Sequence, residues 1–141
     1  MQAAGATPAL LVLLVDDCPI QRMLTSAVLH QWGITPTLAC AGEEAVRIAR
    51  EQEFDLILMD IEMPGMGGFA ASKRIRQIER ERQRRARASI VACTGLPLPL
   101  DEVMMRRSGM NDALQKPCPA SALGDCLHRW CAGKLASARM P

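Results

Sequence analysis

Phe54-Asp55-Leu56-Ile57-Leu58-Met59-Asp60-Ile61-Glu62-Met63-Pro64-Gly65-Met66-Gly67-Gly68 decides how the chain is read. The apolar run from Leu56 to Met59 stops abruptly on a carboxylate, and Pro64 and three glycines follow within a few residues. That pattern predicts a buried strand that delivers Asp60 to its C-terminal end, then a flexible loop. In an open parallel sheet, ligands bind outside the C-terminal strand ends. A single Asp in such a place also serves as a helix cap. The other strand ends therefore decide what Asp60 is for.

Upstream, Leu10 to Val15 is a continuous apolar run of strand length and ends on Asp16 and Asp17. Unbroken runs of this kind fit strands covered on both faces. Pro19 suits the first turn of a helix, with Ile20, Met23, Leu24, Ala27 and Val28 expected as its inward stripe and Gly33 as its stop. Thr35 to Ala39 is a short strand, and Pro36 argues for the sheet edge. Gly42-Glu43-Glu44 opens a second helix, with Ala45, Ile48 and Ala49 inward.

Downstream, a third helix starts at Gly68 with Ala71, Ile75 and Ile78 inward. Its tail, Glu79 to Arg87, alternates acid and base and is expected to be a solvated helix end and loop; a docking patch for an acidic partner is the alternative. Ser89 to Cys93 is a fourth strand that ends at Thr94-Gly95. Pro97 and Pro99 keep the next segment out of a helix until Leu100 or Asp101, and Gly109 ends the short helix that follows. Ala113 to Gln115 is a fifth strand leading into Lys116-Pro117. Pro119 opens a last helix with Leu123, Cys126, Leu127 and Trp130 inward.

Strand and helix alternate five times, the pattern of an α/β domain with a parallel sheet covered on both sides. The expected architecture is a flavodoxin-like (βα)5 three-layer sandwich with strand order 2-1-3-4-5. The 141 residues suit one domain: residues 1–8 as a flexible tail, 9–135 as the domain and 136–141 as a second tail. A net charge of +2 makes no case for nucleic acid or a membrane surface. Ala9 to Val15 is too short to span a bilayer and lacks the basic start of a secretion signal. Six cysteines form no C-x-x-C pair and have only His30 and His128 for company, so free, mostly buried thiols in a reducing cytoplasm are expected rather than zinc.

In the 2-1-3-4-5 order, Asp16, Asp17, Asp60, Thr94 and Lys116 ring one crevice at the topological switch point. Three carboxylates and an ammonium sum to about −2, and like charges 4 Å apart repel by roughly 4 kcal/mol at an effective dielectric of about 20. Such a crevice calls for a hard dication. Mg2+ prefers carboxylate oxygens and pairs with phosphate. A carboxylate beside Mg2+ and Lys is suited to accept a phosphoryl group, with Lys116 and the Thr94 hydroxyl stabilising the charge on the transferring group.

These residues resemble the receiver domain of two-component response regulators. The resemblance rests on Val15-Asp16-Asp17, Leu58-Met59-Asp60-Ile61-Glu62-Met63-Pro64, Met66-Gly67-Gly68, Ile90-Val91-Ala92-Cys93-Thr94, Gly109-Met110-Asn111-Asp112 and Lys116-Pro117, and runs from about Leu10 to Leu135. It implies that Asp60 is the phosphoacceptor. It implies that Asp16, Asp17, Asp60 and the backbone carbonyl of Glu62 hold Mg2+, with Mn2+ as the alternative ion. Thr94 would be the switch hydroxyl and Lys116 the phosphate-binding lysine. The donor would be a histidine kinase or a histidine phosphotransfer domain, and the chain would catalyse its own phosphorylation and dephosphorylation as a signalling switch. With six residues after Leu135, a stand-alone receiver without direct DNA binding is expected. One position departs from the family pattern: Ala113 stands where an aromatic ring is usual, so readout is expected to fall on the loop from Thr94 to Leu100.

Two other readings compete. An Asp-nucleophile phosphatase usually carries a second Asp two residues after the nucleophile, where this chain has Glu62. A non-phosphorylated interaction module would leave Asp60 unmodified.

Overall fold

Pleating divides each apolar run between two faces. In the computed structural model, which describes residues 10–135, β1 (Val12–Val15) and β3 (Leu56–Asp60) are buried at every position. Leu13, Val15, Ile57, Met59, Ile90 and Ala92 point into one core cluster, and Val12, Leu14, Leu56, Leu58, Val91 and Cys93 into the other. This two-residue alternation is what a strand requires. It explains why the runs are uninterrupted in sequence: both faces are covered.

The remaining strands are β2 (Thr37–Ala39), β4 (Ser89–Thr94) and β5 (Asp112–Gln115). All pairs are parallel and the order is β2-β1-β3-β4-β5. Pro36 immediately precedes the edge strand β2, so its missing N–H interrupts no ladder. The expected tails, 1–8 and 136–141, lie outside the described residues.

On one face of the sheet, α2 (Gly42–Glu51) and α3 (Gly68–Glu81) contribute Ala45, Val46, Ala49, Ala71, Ile75 and Ile78. On the other, α1 (Pro19–Gln31) and α5 (Ala120–Leu135) contribute Leu29, Leu123, Cys126, Leu127 and Cys131. A fully buried side chain of this size is worth about 1.5–3 kcal/mol. Gly124 lets α5 approach α1 closely, because a Cβ there would press on the Trp32 ring. The short α4 (Glu102–Ser108) begins where Asp101 Oδ1 accepts from Val103 N at 2.9 Å and ends at Gly109, whose φ of +80° is left-handed. Among the described residues, no helix is long and apolar enough to cross a membrane.

One expectation fails and a second holds only in part. The predicted inward stripe of α1 faces solvent: Ile20, Met23 and Leu24 are 64%, 63% and 55% exposed, and Ala27 is exposed as well. Within the helix only Leu29 is buried, and Val28 packs partly beside it. At about 100° per residue, Ile20 lies roughly opposite Leu29. Leu29, Trp32 and Ile34 anchor the helix end and so set its rotation. The tail of α3 from Glu79 to Arg87 is solvated as expected at seven of its nine residues, and Glu79 and Arg84 are the exceptions. Glu79 is buried with Arg76 at 2.8 Å, and Arg84 is half-buried, donating to the carbonyls of Ala49 at 2.7 Å and Arg50 at 3.0 Å. Alternating charge described the sequence, but each of these charges has its own buried or backbone partner.

Candidate functional site

Sheet register places the polar strand ends. Val15 pairs with Met59, so Asp16 and Asp60 leave β1 and β3 side by side. Asp60 pairs with Cys93, which puts Thr94 one step beyond on β4. Thr94 pairs with Gln115, and the Lys116 N–H donates to the Thr94 carbonyl at 2.7 Å. Behind Asp60 the chain turns at once. Gly68 N donates to Ile61 O at 2.9 Å, and a Cβ on Gly68 would collide with the Asp60 carbonyl. The glycine after the acceptor strand is therefore a packing requirement.

Carboxylate oxygens of Asp16, Asp17 and Asp60 all lie within 4.8 Å of one another. Lys116 Nζ is 2.8 Å from Asp16 Oδ2 and 3.3 Å from Asp60 Oδ1. Asp16 and Asp60 are buried, whereas Asp17 opens to solvent. The other Asp16 oxygen accepts from Cys18 N at 2.9 Å, which fixes the orientation of that carboxylate. Thr94 is buried, and its Oγ1 accepts from Leu96 N at 3.0 Å. That bond leaves the hydroxyl proton available to another acceptor.

Burial pushes the Asp60 carboxyl up; Lys116 opposes this, the Asp16 charge and a hydrogen bond with Asp17 reinforce it, and the group rests at about 6. Burial works on Lys116 in the opposite sense, but its hydrogen bond to Asp16 and the charges of Asp60 and Asp16 outweigh it, so the ammonium is held above its ordinary value. A carboxylate driven toward its neutral form by burial, with a second carboxylate adding to the effect, marks a place short of positive charge. Three convergent oxygen donors fit a hard divalent cation such as Mg2+.

Of the residues expected from sequence, Asp16, Asp17, Asp60 and Lys116 are brought into direct proximity, and Thr94 is joined to Lys116 through the backbone. Glu62 was expected to contribute its backbone carbonyl, and its side chain is exposed and outside the acidic cluster. Sequence reading missed Arg22, whose Nη1 donates to the Asp16 carbonyl at 2.7 Å. A signal was present, since a cation near the start of a helix is unfavourable with the helix dipole and needs a reason.

Known proteins share this fold. A family model described as "Response regulator receiver domain" matches residues 12–128. The chain is 35% identical over 119 residues to the sensor protein GacS of Pseudomonas syringae pv. syringae, covering 84% of this chain and 13% of that protein. It thus spans about an eighth of that relative's length. Among solved structures, the receiver domain of sensor histidine kinase PA1611 from Pseudomonas aeruginosa PAO1, with a magnesium ion in its active-site cleft, superposes with a TM-score of 0.76 at 36% identity, covering 87% of this chain and 98% of that one. A chain of the Saccharomyces cerevisiae co-crystal of the phosphotransfer protein Ypd1 with the receiver domain of Ssk1 gives a TM-score of 0.79 at 33% identity, covering 92% and 94%. On fold, site and likeness together, this chain belongs to the response regulator receiver domain family.

Proposed function

We propose that the chain accepts a phosphoryl group on Asp60 from a phosphohistidine, with Mg2+ bound, and so acts as a switch or relay in a phosphorelay. The observation that carries this is the convergence of Asp16, Asp17 and Asp60 around one point, with Lys116 as the cation beside them. An Asp60 carboxylate oxygen attacks phosphorus. The bond from phosphorus to the donor imidazole nitrogen breaks, and the electron pair leaves on that nitrogen. Lys116 stays paired with charge building on the phosphoryl oxygens, and the Thr94 hydroxyl donates to one of them.

Asp16, Asp17, Asp60 and the Glu62 carbonyl would hold the Mg2+, for which Mn2+ can substitute at the same oxygen donors. The ion supplies the neutralising charge that the acidic cluster lacks. Separately, Asp16 is oriented by Cys18 N and braced through its carbonyl by Arg22. A second Asp two positions after the acceptor would favour phosphatase chemistry; Glu62 stands there with its side chain in solvent.

The donor is a histidine kinase or a histidine phosphotransfer domain, and the solvent-facing stripe of α1 is its contact. Ile20, Met23 and Leu24 are large apolar groups left exposed just after the acidic pair. Phosphohistidine donors offered one at a time, with Asp60→Asn as control, test the reading. Leu24→Glu should slow transfer from the cognate protein while leaving acceptance from acetyl phosphate unchanged. Equal loss from both donors would remove α1 from the account, and label that persists in Asp60→Asn would remove Asp60.

A further inference from the structure

Cys93 and Cys118 flank the two residues that close the site. Cys93 is the residue before Thr94 on β4, and Cys118 follows Lys116 by two positions. Both pack into the core cluster beneath α5. Register places Cys93 opposite Leu114 and Thr94 opposite Gln115, and Cys118 Sγ lies 3.6 Å from the Gln115 carbonyl oxygen, so the two thiols meet at the same corner of the sheet. Cys118 Sγ is also within hydrogen-bonding reach of the Cys93 thiol.

We propose that Cys118 and Cys93 form a peroxide-reactive dithiol whose disulfide ties the end of β4 to the segment after Lys116 and suppresses phosphoryl acceptance. The regulatory half rests on Asp60 as acceptor; the thiol chemistry does not.

The two sulfurs have unequal access and unequal character. Cys118 is half-buried at the surface and Cys93 is buried, so a small oxidant reaches Cys118 first. The hydrogen bond from Cys93 holds the Cys118 thiol below its ordinary value against the effect of burial, and the Lys116 ammonium adds to this. Cys93 is enclosed beneath α5 and is reached only through Cys118 chemistry. In the first step the Cys118 thiolate attacks a peroxide oxygen. The O–O bond breaks, hydroxide leaves, and Cys118 becomes a sulfenic acid. In the second step Cys93 sulfur attacks Cys118 sulfur. The S–O bond breaks, and the hydroxyl leaves with the Cys93 proton as water. In sum, two thiols and one hydrogen peroxide give a disulfide and two waters, and a dithiol reductant reverses it.

Lys116 N already donates to Thr94 O, so the link would clamp a corner where both functional side chains must adjust. Cys126 lies near both thiols, but burial pushes its own thiol up to about 12, which makes it the poorer competitor.

The test exposes the reduced full chain to hydrogen peroxide and maps linked peptides by mass spectrometry. A Cys93–Cys118 linkage is expected, absent in Cys118→Ser and reversed by dithiothreitol, with a sulfenic acid trapped at Cys118 in Cys93→Ala. Linkage through Cys126, or oxidation only at the exposed Cys40, overturns the proposal. Acceptance from acetyl phosphate should fall about tenfold in the oxidised wild type, since small misplacements of positioning groups cost that much or more, and should be unchanged by peroxide in Cys118→Ser. A mapped link with no loss of acceptance overturns the regulatory half. Reduced protein that accepts no phosphate overturns Asp60 as acceptor, while the mapping still decides the dithiol.

Discussion

Lys116 Nζ lies 2.8 Å from Asp16 Oδ2, closer than the 3.3 Å that separates it from the candidate acceptor Asp60. Without a metal ion, the lysine is the principal counter-charge of the acidic cluster. Mg2+ and Lys116 therefore compete for Asp16. Lys116→Ala should raise Mg2+ affinity by roughly threefold to tenfold, as expected for removing one nearby partly screened positive charge. The same variant should accept phosphate far more slowly. Calorimetric titration read beside acetyl phosphate kinetics checks this split; a fall in both would mean that Lys116 supports the metal site.

Charge on Asp60 opposes folding in the metal-free protein. Its carboxyl is raised from the ordinary range to about 6 in the folded state, so the folded chain holds that proton more tightly than the unfolded chain. The penalty is absent below the unfolded value, grows as pH rises toward about 6 and is fully present above it. Asp60→Asn should thus stabilise the metal-free protein at neutral pH by on the order of 1–2 kcal/mol after solvent screening, and by little near pH 4. Urea unfolding at the two pH values measures it. An equal gain at both would assign the effect to something other than ionisation.

Arg76 and Glu79 form a buried pair that holds β4, α3 and the end of α4 together. Arg76 donates to the carbonyls of Gly109 at 2.9 Å and Ala88 at 2.7 Å, to Glu79 at 2.8 Å and to Asn111 Oδ1 at 2.9 Å, while Glu79 Oε2 accepts from Ala88 N at 2.8 Å. Arg76→Leu should cost about 3–5 kcal/mol by leaving the buried Glu79 with only the exposed Arg87, 3.9 Å away, as its cation, and adding Glu79→Leu should cost less than the sum of the single changes. Additive losses in urea unfolding would contradict the coupling.

Three apolar runs, two shorter strands and the alternation of strand with helix were enough to read the sheet order and the meeting of Asp16, Asp17, Asp60 and Lys116. Buried strands offer no choice of phase, because both faces are covered. Helix α1 did offer one: its apolar stripe is real, but Leu29 sets the rotation and the stripe faces out. Arg76 and Glu79 resisted reading for a related reason. On a surface helix, charges three apart ordinarily sit in water, and only the tertiary placement of Ala88, Gly109 and Asn111 buries these two.

Ala113 leaves room where the family pattern carries a ring. It lines a groove of about 660 Å3 with Leu98, Leu100, Met105 and Met110. Readout is therefore expected through the loop that the Thr94 hydroxyl holds by Leu96 N. When beryllofluoride and Mg2+ occupy the site, Thr94 turns to the mimic and the Leu96 amide loses its acceptor. Its hydrogen exchange should rise about fivefold or more, in line with loss of one local protecting bond. Unchanged exchange across residues 94–100 would contradict loop readout.

The most direct measurement is the intact mass of the protein after incubation with acetyl phosphate and Mg2+, followed by mapping of the modified residue. One added phosphoryl group on Asp60 is predicted, not formed when the metal is chelated before acetyl phosphate is added and absent from Asp60→Asn. An unmodified chain, or a phosphoryl group on any other residue, would contradict it.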